Sequence, residues 1–296
     1  MSHRKKYLIA LEETRSIVAL SAGILVLVCT VVSVFIMIER YIGTSEHPLH
    51  YFTVWSNLLS ALAAAFTIPY AAEGIRKKRF VLPRWIVLLQ YAGATCVATT
   101  MAAALAIIWP TQGIKAVTGV NFWLHIVAPV LTLVLFQCIE TGVSLSRKDF
   151  LLPLIPFGFY MSVYFVMVVL VGKENGGWSD FYMTLAYWPG WVSALLMTAV
   201  CSAVSLLLRL VQNKRAAQSW KRISRAWSED LEPTQLLIEA FGLGRYIGTH
   251  CAVSELTVPL DIFMLMSKRY SIPLEKITKA FFKGALDAVE EKRAGR

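Results

Sequence analysis

The chain has 296 residues, of which 56% are hydrophobic and only 16% are charged, and its formal net charge is +10. About a quarter of the residues in an ordinary soluble domain are charged. The deficit here lies in the first two thirds of the chain, which excludes a single soluble domain and predicts several membrane spans followed by a soluble tail. The positive charge does not indicate a nucleic-acid partner, because the basic residues flank apolar runs and form no recognition-helix signature.

Six apolar runs follow one another, each close to the ~20 residues with which a helix crosses the hydrocarbon. A basic lead, residues 1–15, precedes them, the predicted membrane domain covers 16–212, and a polar tail covers 213–296. The six predicted spans are Ser16–Ile38, Thr53–Ala72, Trp85–Trp109, Phe122–Ile139, Phe150–Gly172 and Tyr187–Leu208. No run shows the alternating pattern of a membrane β-barrel. The sequence therefore predicts an all-α polytopic membrane protein, a six-helix transmembrane bundle with a small helical cytoplasmic tail.

The distribution of Lys and Arg predicts the orientation of this bundle. The lead contains four of them, the connection between spans two and three contains five, the connection between spans four and five contains two, and the segment Arg209–Arg225 after span six contains six. The remaining connections contain one each, namely Arg40, Lys115 and Lys173. Because basic residues accumulate on the cytoplasmic side, both termini are expected in the cytoplasm.

The tail is expected to contain two helices. Trp220, Ile223 and Trp227 recur at helical spacing with basic residues opposite, which favours an amphipathic helix lying on the lipid of the inner leaflet. A cytosolic helix that packs on the tail's own core would show the same pattern. A second helix is expected over Leu274–Glu291, just after Pro273. No motif identifies a protein partner for the tail.

Two polar sequences open apolar spans on the same predicted side of the membrane. Span two opens with Phe-Thr-Val-Trp-Ser-Asn, in which Thr53 and Asn57 lie one turn apart on one helical face. Span four opens with Asn-Phe-Trp-Leu-His, so His125 lies about one turn inside it. A threonine hydroxyl needs a base within hydrogen-bond reach, and histidine is the usual one. Thr53 and His125 are therefore the candidate nucleophile and base near the extracytoplasmic face, with Asn57 as orienter or oxyanion donor.

Other interpretations of these residues need no catalysis. Ser and Thr in membrane helices often bond the carbonyl one turn back or join helices, and water can solvate a histidine near a helix end. A metal site from His47, His50 and His125, with Glu46 and Asp180 nearby, is a weaker interpretation, because no cysteine or helical His pair completes it. An ion-coupled pump is disfavoured because no span contains an internal Asp, Glu, Lys or Arg.

Aromatic residues crowd the predicted extracytoplasmic interface, and we interpret them as an aromatic belt. A few of them are also candidates to roof a cleft through which lipid enters. The belt comprises Trp109, Trp123, Trp178, Tyr182, Tyr187, Trp188 and Trp191.

The chain resembles a bacterial six-helix membrane family called Pr-six-Pr in the span-two opening from Phe52 to Asn57, in the lone His125, and in the stretch from Leu152–Tyr160 through Tyr164 to Gly177-Trp178. That family is distantly similar to the androgen-induced and androgen-dependent membrane hydrolases of fatty-acid esters. The resemblance covers residues 16–208 and implies a bacterial-type cell membrane, with Thr53 as nucleophile and His125 as base. Asn57 matches the Ser-Asn signature of the bacterial family. The chain departs from the family after span five, where Gly-Trp-Ser-Asp-Phe-Tyr replaces a Tyr-Pro-Tyr-Pro-Phe pattern.

Two functional hypotheses follow. The first is an intramembrane lipid-ester hydrolase that acts on a fatty-acyl ester and requires no cofactor. The alternative is a non-catalytic integral membrane protein, a lipid-binding or scaffold module whose cytoplasmic tail binds a partner. The separation of Thr53 and His125 discriminates between them, because a base must reach the hydroxyl directly or through one water.

Overall fold

A computed structural model describes residues 3–44, 46–77, 80, 82–137, 143–180, 182, 185, 189–228 and 272–293, and also 237, 240, 241, 244, 263, 264 and 267. Within these ranges the regular structure is entirely helical, which confirms the predicted all-α class. Six helices among the described residues are long and apolar enough to cross a membrane, so the chain is an integral membrane protein. These spans are Glu13–Tyr41, Phe52–Lys77, Arg84–Thr111, Val120–Gln137, Asp149–Val171 and Gly190–Ala216.

The first two spans are continuous α-helices, α1 (His3–Tyr41) and α2 (Phe52–Lys77). Helix α3 (Arg84–Ala103) continues through the π-helical turn Ala104–Ile108 and a last α-helical turn, Trp109–Gln112. The fourth span, α4 (Val120–Gln137), contains the π-helical turn Trp123–Val127. The fifth, α5 (Leu154–Phe165), ends in the π-helical turn Val166–Val171.

The three π-helical turns lie at one end of the bundle. They occupy the end of α3, the start of α4 and the end of α5. Because successive spans alternate in direction, this is also the end at which α2 begins. π-Helical turns are rare in proteins overall, but those that occur are often found at functional sites. This end of the bundle is therefore where a site is expected.

Small residues bring the helices of the bundle close together. Lipid tails are as apolar as Leu, so helices in a membrane associate through close packing and interhelical hydrogen bonds. A Cβ added at Gly93 of α3 would lie 3.1 Å from Ser60 Oγ and 3.2 Å from Ser60 Cα on α2. A Cβ added at Gly23 of α1 would lie 3.2 Å from Ile68 Cγ1. Gly93 therefore lets α3 approach the α2 backbone, and Gly23 lets α1 approach a side chain of α2, at distances that a larger residue would reach only if its neighbour moved.

Polar contacts fix the opposite, basic end of the bundle. An Arg84 amino group lies 2.7 Å from Asp149 Oδ2, which ties α3 to the start of the fifth span. Asn213, on the last span, accepts a hydrogen bond from Leu145 N at 2.7 Å and donates one to Leu145 O at 2.9 Å. The connection before α5 is thereby held on both sides.

The last span continues beyond the membrane domain as one helix, α6 (Gly190–Ser228). The helix predicted around Trp220 is thus an extension of the span and not a separate element. The side chains of 219–228 lie outside the described residues, and their docking on lipid remains a prediction. Helix α7 (Leu274–Arg293) confirms the helix predicted after Pro273, whose carbonyl accepts a hydrogen bond from Lys276 N.

Replacing Gly93 with valine should destabilise the bundle, because the new side chain meets the α2 backbone at Ser60 and not a flexible side-chain end. Overpacking of this kind costs about 1–3 kcal/mol of unfolding free energy. Gly158→Val is the matched control, since a Cβ at Gly158, also inside a helix, has nothing within 4 Å. Thermal unfolding in detergent measures both variants. Equal losses would contradict the close approach of α2 and α3.

Candidate active site

Thr53 and His125 meet in the interior of the bundle. The Thr53 side chain, on the first turn of α2, and the His125 side chain, in the π-helical turn of α4, are only 6% and 7% exposed. Thr53 Oγ1 lies 3.2 Å from His125 Nε2. The structure therefore joins two residues from distant parts of the sequence by a direct hydrogen bond, and neither side chain faces lipid.

The second ring nitrogen determines which tautomer of His125 is present. His125 Nδ1 lies 2.8 Å from the carbonyl oxygen of Ala116. A carbonyl oxygen only accepts hydrogen bonds, so Nδ1 carries the hydrogen of the neutral imidazole and donates it. Nε2 then has a lone pair, and the Thr53 hydroxyl donates to it. The imidazole is held in the tautomer that can take the threonine proton.

The π-helical turn around His125 leaves one backbone carbonyl without a helical donor. The N–H of Ala128 donates to Trp123 O, five residues back. The next residue, Pro129, has no N–H. The carbonyl of Leu124 is therefore available, and it accepts a hydrogen bond of 3.1 Å from Asn57 Nδ2 on α2. Asn57 thus binds α4 at the residue directly before His125.

Asn57 is positioned to orient the site and not to donate to an oxyanion. Its Nδ2 also donates to Thr53 O at 2.7 Å, so both amide hydrogens are directed at backbone carbonyls. The fully buried Oδ1 atom has no hydrogen-bond partner among the described residues. Of the two roles expected for Asn57, this geometry favours the orienter over the oxyanion donor.

Tyr182, assigned above only to the aromatic belt, is a further residue of the site. Its phenol oxygen accepts a hydrogen bond of 2.8 Å from Phe52 N. The phenol is also hydrogen-bonded with the side chains of Tyr160 and Thr53. Burial raises the pKa of Tyr182, and these hydrogen bonds oppose the rise. No spacing in the sequence points to it, because it lies in the connection between α5 and α6.

An apolar groove of about 370 Å³ lies along α2 and α5 beside this site. Phe52 and Tyr160, which both contact the Tyr182 phenol, are two of its lining residues. Two other lining residues, Trp55 and Phe159, are 45% and 65% exposed, so the groove opens on the outer surface of the bundle. The remaining lining residues are Ser56, Leu58, Leu59, Leu62, Cys96, Pro156, Val163 and Trp178.

The histidines considered for a metal site have other partners. His50 Nδ1 accepts a hydrogen bond from His47 N at 3.3 Å, and the His50 ring stacks on Trp178 with centroids 4.5 Å apart. Glu46 and Asp180 each accept a hydrogen bond of 2.7 Å from a tyrosine hydroxyl. In the described part of the chain no three His, Cys, Asp or Glu residues form a group that could hold a metal ion.

Comparisons of the chain with protein-family models, curated proteins and solved structures give no significant match. The resemblance to the six-helix bacterial family therefore remains a prediction. The fold and the site define an integral membrane protein of six helical spans with a buried threonine–histidine pair beside a groove on its outer surface.

Replacing Asn57 with alanine should destabilise the protein, because the buried Leu124 carbonyl loses its side-chain donor. Leaving such a group unsatisfied costs about 1–3 kcal/mol of unfolding free energy. Ser60→Ala is the control, since the equally buried Ser60 hydroxyl, one turn further along α2, donates to the Ser56 carbonyl of its own helix. Thermal unfolding in detergent compares the two. A loss no larger for Asn57→Ala than for Ser60→Ala would contradict this role of Asn57.

Proposed function

We propose that this protein is an intramembrane lipid-ester hydrolase with Thr53 as nucleophile and His125 as general base. The observation that carries the proposal is the 3.2 Å hydrogen bond between Thr53 Oγ1 and His125 Nε2 inside the bundle. The Ala116 carbonyl supports it, because its contact with Nδ1 leaves Nε2 able to accept a proton. The resemblance to membrane hydrolases of fatty-acid esters assigns the same two roles.

The proposed reaction needs only proton transfers and two acyl transfers. Thr53 Oγ adds to the carbonyl carbon of the ester while His125 Nε2 takes the hydroxyl proton. The bond to the alcohol oxygen then breaks, and the protonated Nε2 returns the proton to the departing alkoxide. Water attacks the acyl-Thr53 ester with His125 again as base, which releases the fatty acid and restores the threonine hydroxyl. No cofactor takes part in this sequence.

The groove supports a substrate with an acyl chain. Its walls are mainly Leu, Phe and Trp, and it opens where the six spans would face lipid. An acyl chain in the groove would leave bulk lipid without being exposed to water. Phe52 lines the groove and contacts the Tyr182 phenol beside Thr53, so the ester group of a bound acyl chain would reach the site from this part of the groove.

We place the site at the extracytoplasmic face of a bacterial-type cell membrane, with both termini in the cytoplasm. This assignment is supported by the distribution of Lys and Arg along the chain. In this orientation the enzyme would have access to amphiphiles of the outer leaflet.

A second candidate function is a non-catalytic lipid-binding module. The groove favours it, because an apolar groove open to lipid can bind an acyl chain whether or not Thr53 reacts. The tail would then bind a partner. The two candidates differ in one observable, which is turnover that depends on Thr53.

Replacing either Thr53 or His125 with alanine should lower ester hydrolysis by about 10²–10⁴-fold, the contribution of a positioned base to proton transfer. The assay is hydrolysis of p-nitrophenyl esters of graded chain length by the purified protein in detergent. Thr132→Ala is the matched control, since this buried hydroxyl of α4 donates only to its own helix, at Ala128 O. Its activity should equal that of the wild type.

The opposite results would favour the lipid-binding module. In one such result the wild type hydrolyses none of the esters. In the other, the Thr53 and His125 variants are as active as the Thr132 control. Retained thermal stability of the two variants in detergent shows that a loss of activity is not a loss of folding.

A further inference from the structure

The proposed hydrolysis leaves one requirement unassigned. Attack on an ester places negative charge on the carbonyl oxygen, and acyl-transfer enzymes stabilise it with hydrogen-bond donors fixed in advance. Asn57 is not such a donor, because both hydrogens of its amide nitrogen are directed at the carbonyls of Thr53 and Leu124. A donor beside the Thr53 hydroxyl is needed from another part of the chain.

The Tyr182 hydroxyl is next to Thr53 and is oriented by the backbone. Phe52 N donates to its oxygen at 2.8 Å, which occupies a lone pair and leaves the phenolic hydrogen to point elsewhere. Its other hydrogen-bonding neighbours include the side chains of Thr53 and Tyr160. Tyr160 gives its own hydrogen to the His50 carbonyl at 2.7 Å.

Ring contacts restrict where the Tyr182 hydroxyl can go. The Tyr182 and Tyr164 rings are 5.4 Å apart between centroids, and Tyr164 is held in turn by the hydrogen bond from its hydroxyl to Asp180 Oδ1. A donor fixed in this way needs little reorganisation when charge develops near it. Burial raises the pKa of Tyr182, so the phenol keeps its proton at neutral pH.

We propose that Tyr182 is a further catalytic residue, which donates a hydrogen bond to the carbonyl oxygen of the ester as Thr53 attacks it. This inference rests on the proposed hydrolase function. The Oγ–carbon bond forms, the π electron pair of the carbonyl moves to its oxygen, and the phenolic O–H stabilises that charge without transferring its proton. The pair returns when the alcohol leaves. An ester that arrives from the groove passes Phe52 and Tyr160, both of which contact the Tyr182 phenol.

The test compares Tyr182→Phe with wild type in the full-length protein, with p-nitrophenyl decanoate as substrate. Loss of one oxyanion donor typically lowers kcat by about 10²–10³-fold. We expect that loss with KM close to the wild-type value. Tyr91→Phe is the control, because it removes another buried tyrosine hydroxyl, one on α3 that bonds Ser205 and has no part in the site. Its kcat should match the wild type.

A decyl trifluoromethyl ketone separates a catalytic from a structural role of Tyr182. Addition of Thr53 to this ketone gives an oxyanion that imitates the intermediate, so its affinity should fall by the same factor as kcat/KM in Tyr182→Phe. If the phenylalanine variant is not obtained in folded form, 3-fluorotyrosine at position 182 retains the hydroxyl and makes it more acidic. The fall in kcat at alkaline pH, where the phenol loses the proton that it donates, should then occur at lower pH.

The outcomes that overturn this inference are distinct from those that overturn the hydrolase. Unchanged kcat and ketone affinity in folded Tyr182→Phe, with Thr53→Ala inactive, remove Tyr182 from the mechanism and leave the Thr53–His125 pair in place. If the fall in kcat at alkaline pH does not shift with 3-fluorotyrosine, Tyr182 is likewise removed from the mechanism. A wild type without hydrolysis that depends on Thr53 overturns both proposals.

Discussion

The arrangement of the site depends on one requirement, that a polar group inside a membrane protein must find its partner within the protein. The π-helical turn at His125 and the missing N–H of Pro129 leave the Leu124 carbonyl without a helical donor. Asn57 supplies the donor from α2 and binds the Thr53 carbonyl with the same amide nitrogen. Satisfying one carbonyl thus fixes α2 against α4 at the height where the threonine and histidine side chains meet.

Thr53 differs from other buried hydroxyl residues in where its hydrogen bond goes. Ser60, Thr95 and Thr132 each donate to the carbonyl four residues earlier in their own helix. These bonds satisfy the hydroxyls and require nothing from a neighbouring helix. The Thr53 hydroxyl instead meets an imidazole nitrogen of another helix. A purely structural role is therefore well supported for the first three, whereas Thr53 has the partner that a nucleophile needs.

The sequence was sufficient for the spans and for placing Thr53 and His125 at the same depth, but not for the rest of the site. Apolar runs of spanning length reflect burial in lipid, and the Lys and Arg counts put both residues at one end of the bundle. The sequence does not show how each helix is rotated about its axis, so two roles were open for the Asn57 amide. Only the structure shows that it donates to two backbone carbonyls. Pro129 is visible in the sequence, but the donor to Leu124 is not. Tyr182 lies in a connection without periodicity, where no pattern relates it to Thr53.

The central claim is that Thr53 becomes acylated with the help of His125, and rapid quenching of the purified protein during turnover tests it most directly. Wild type is mixed with p-nitrophenyl decanoate, stopped with acid within the first turnovers, digested, and analysed by peptide mass spectrometry. We expect a decanoyl group on the peptide that contains Thr53 and none on the same peptide from His125→Ala. Hydrolysis with the acyl group on a different residue, or an equal adduct in both proteins, would contradict the claim.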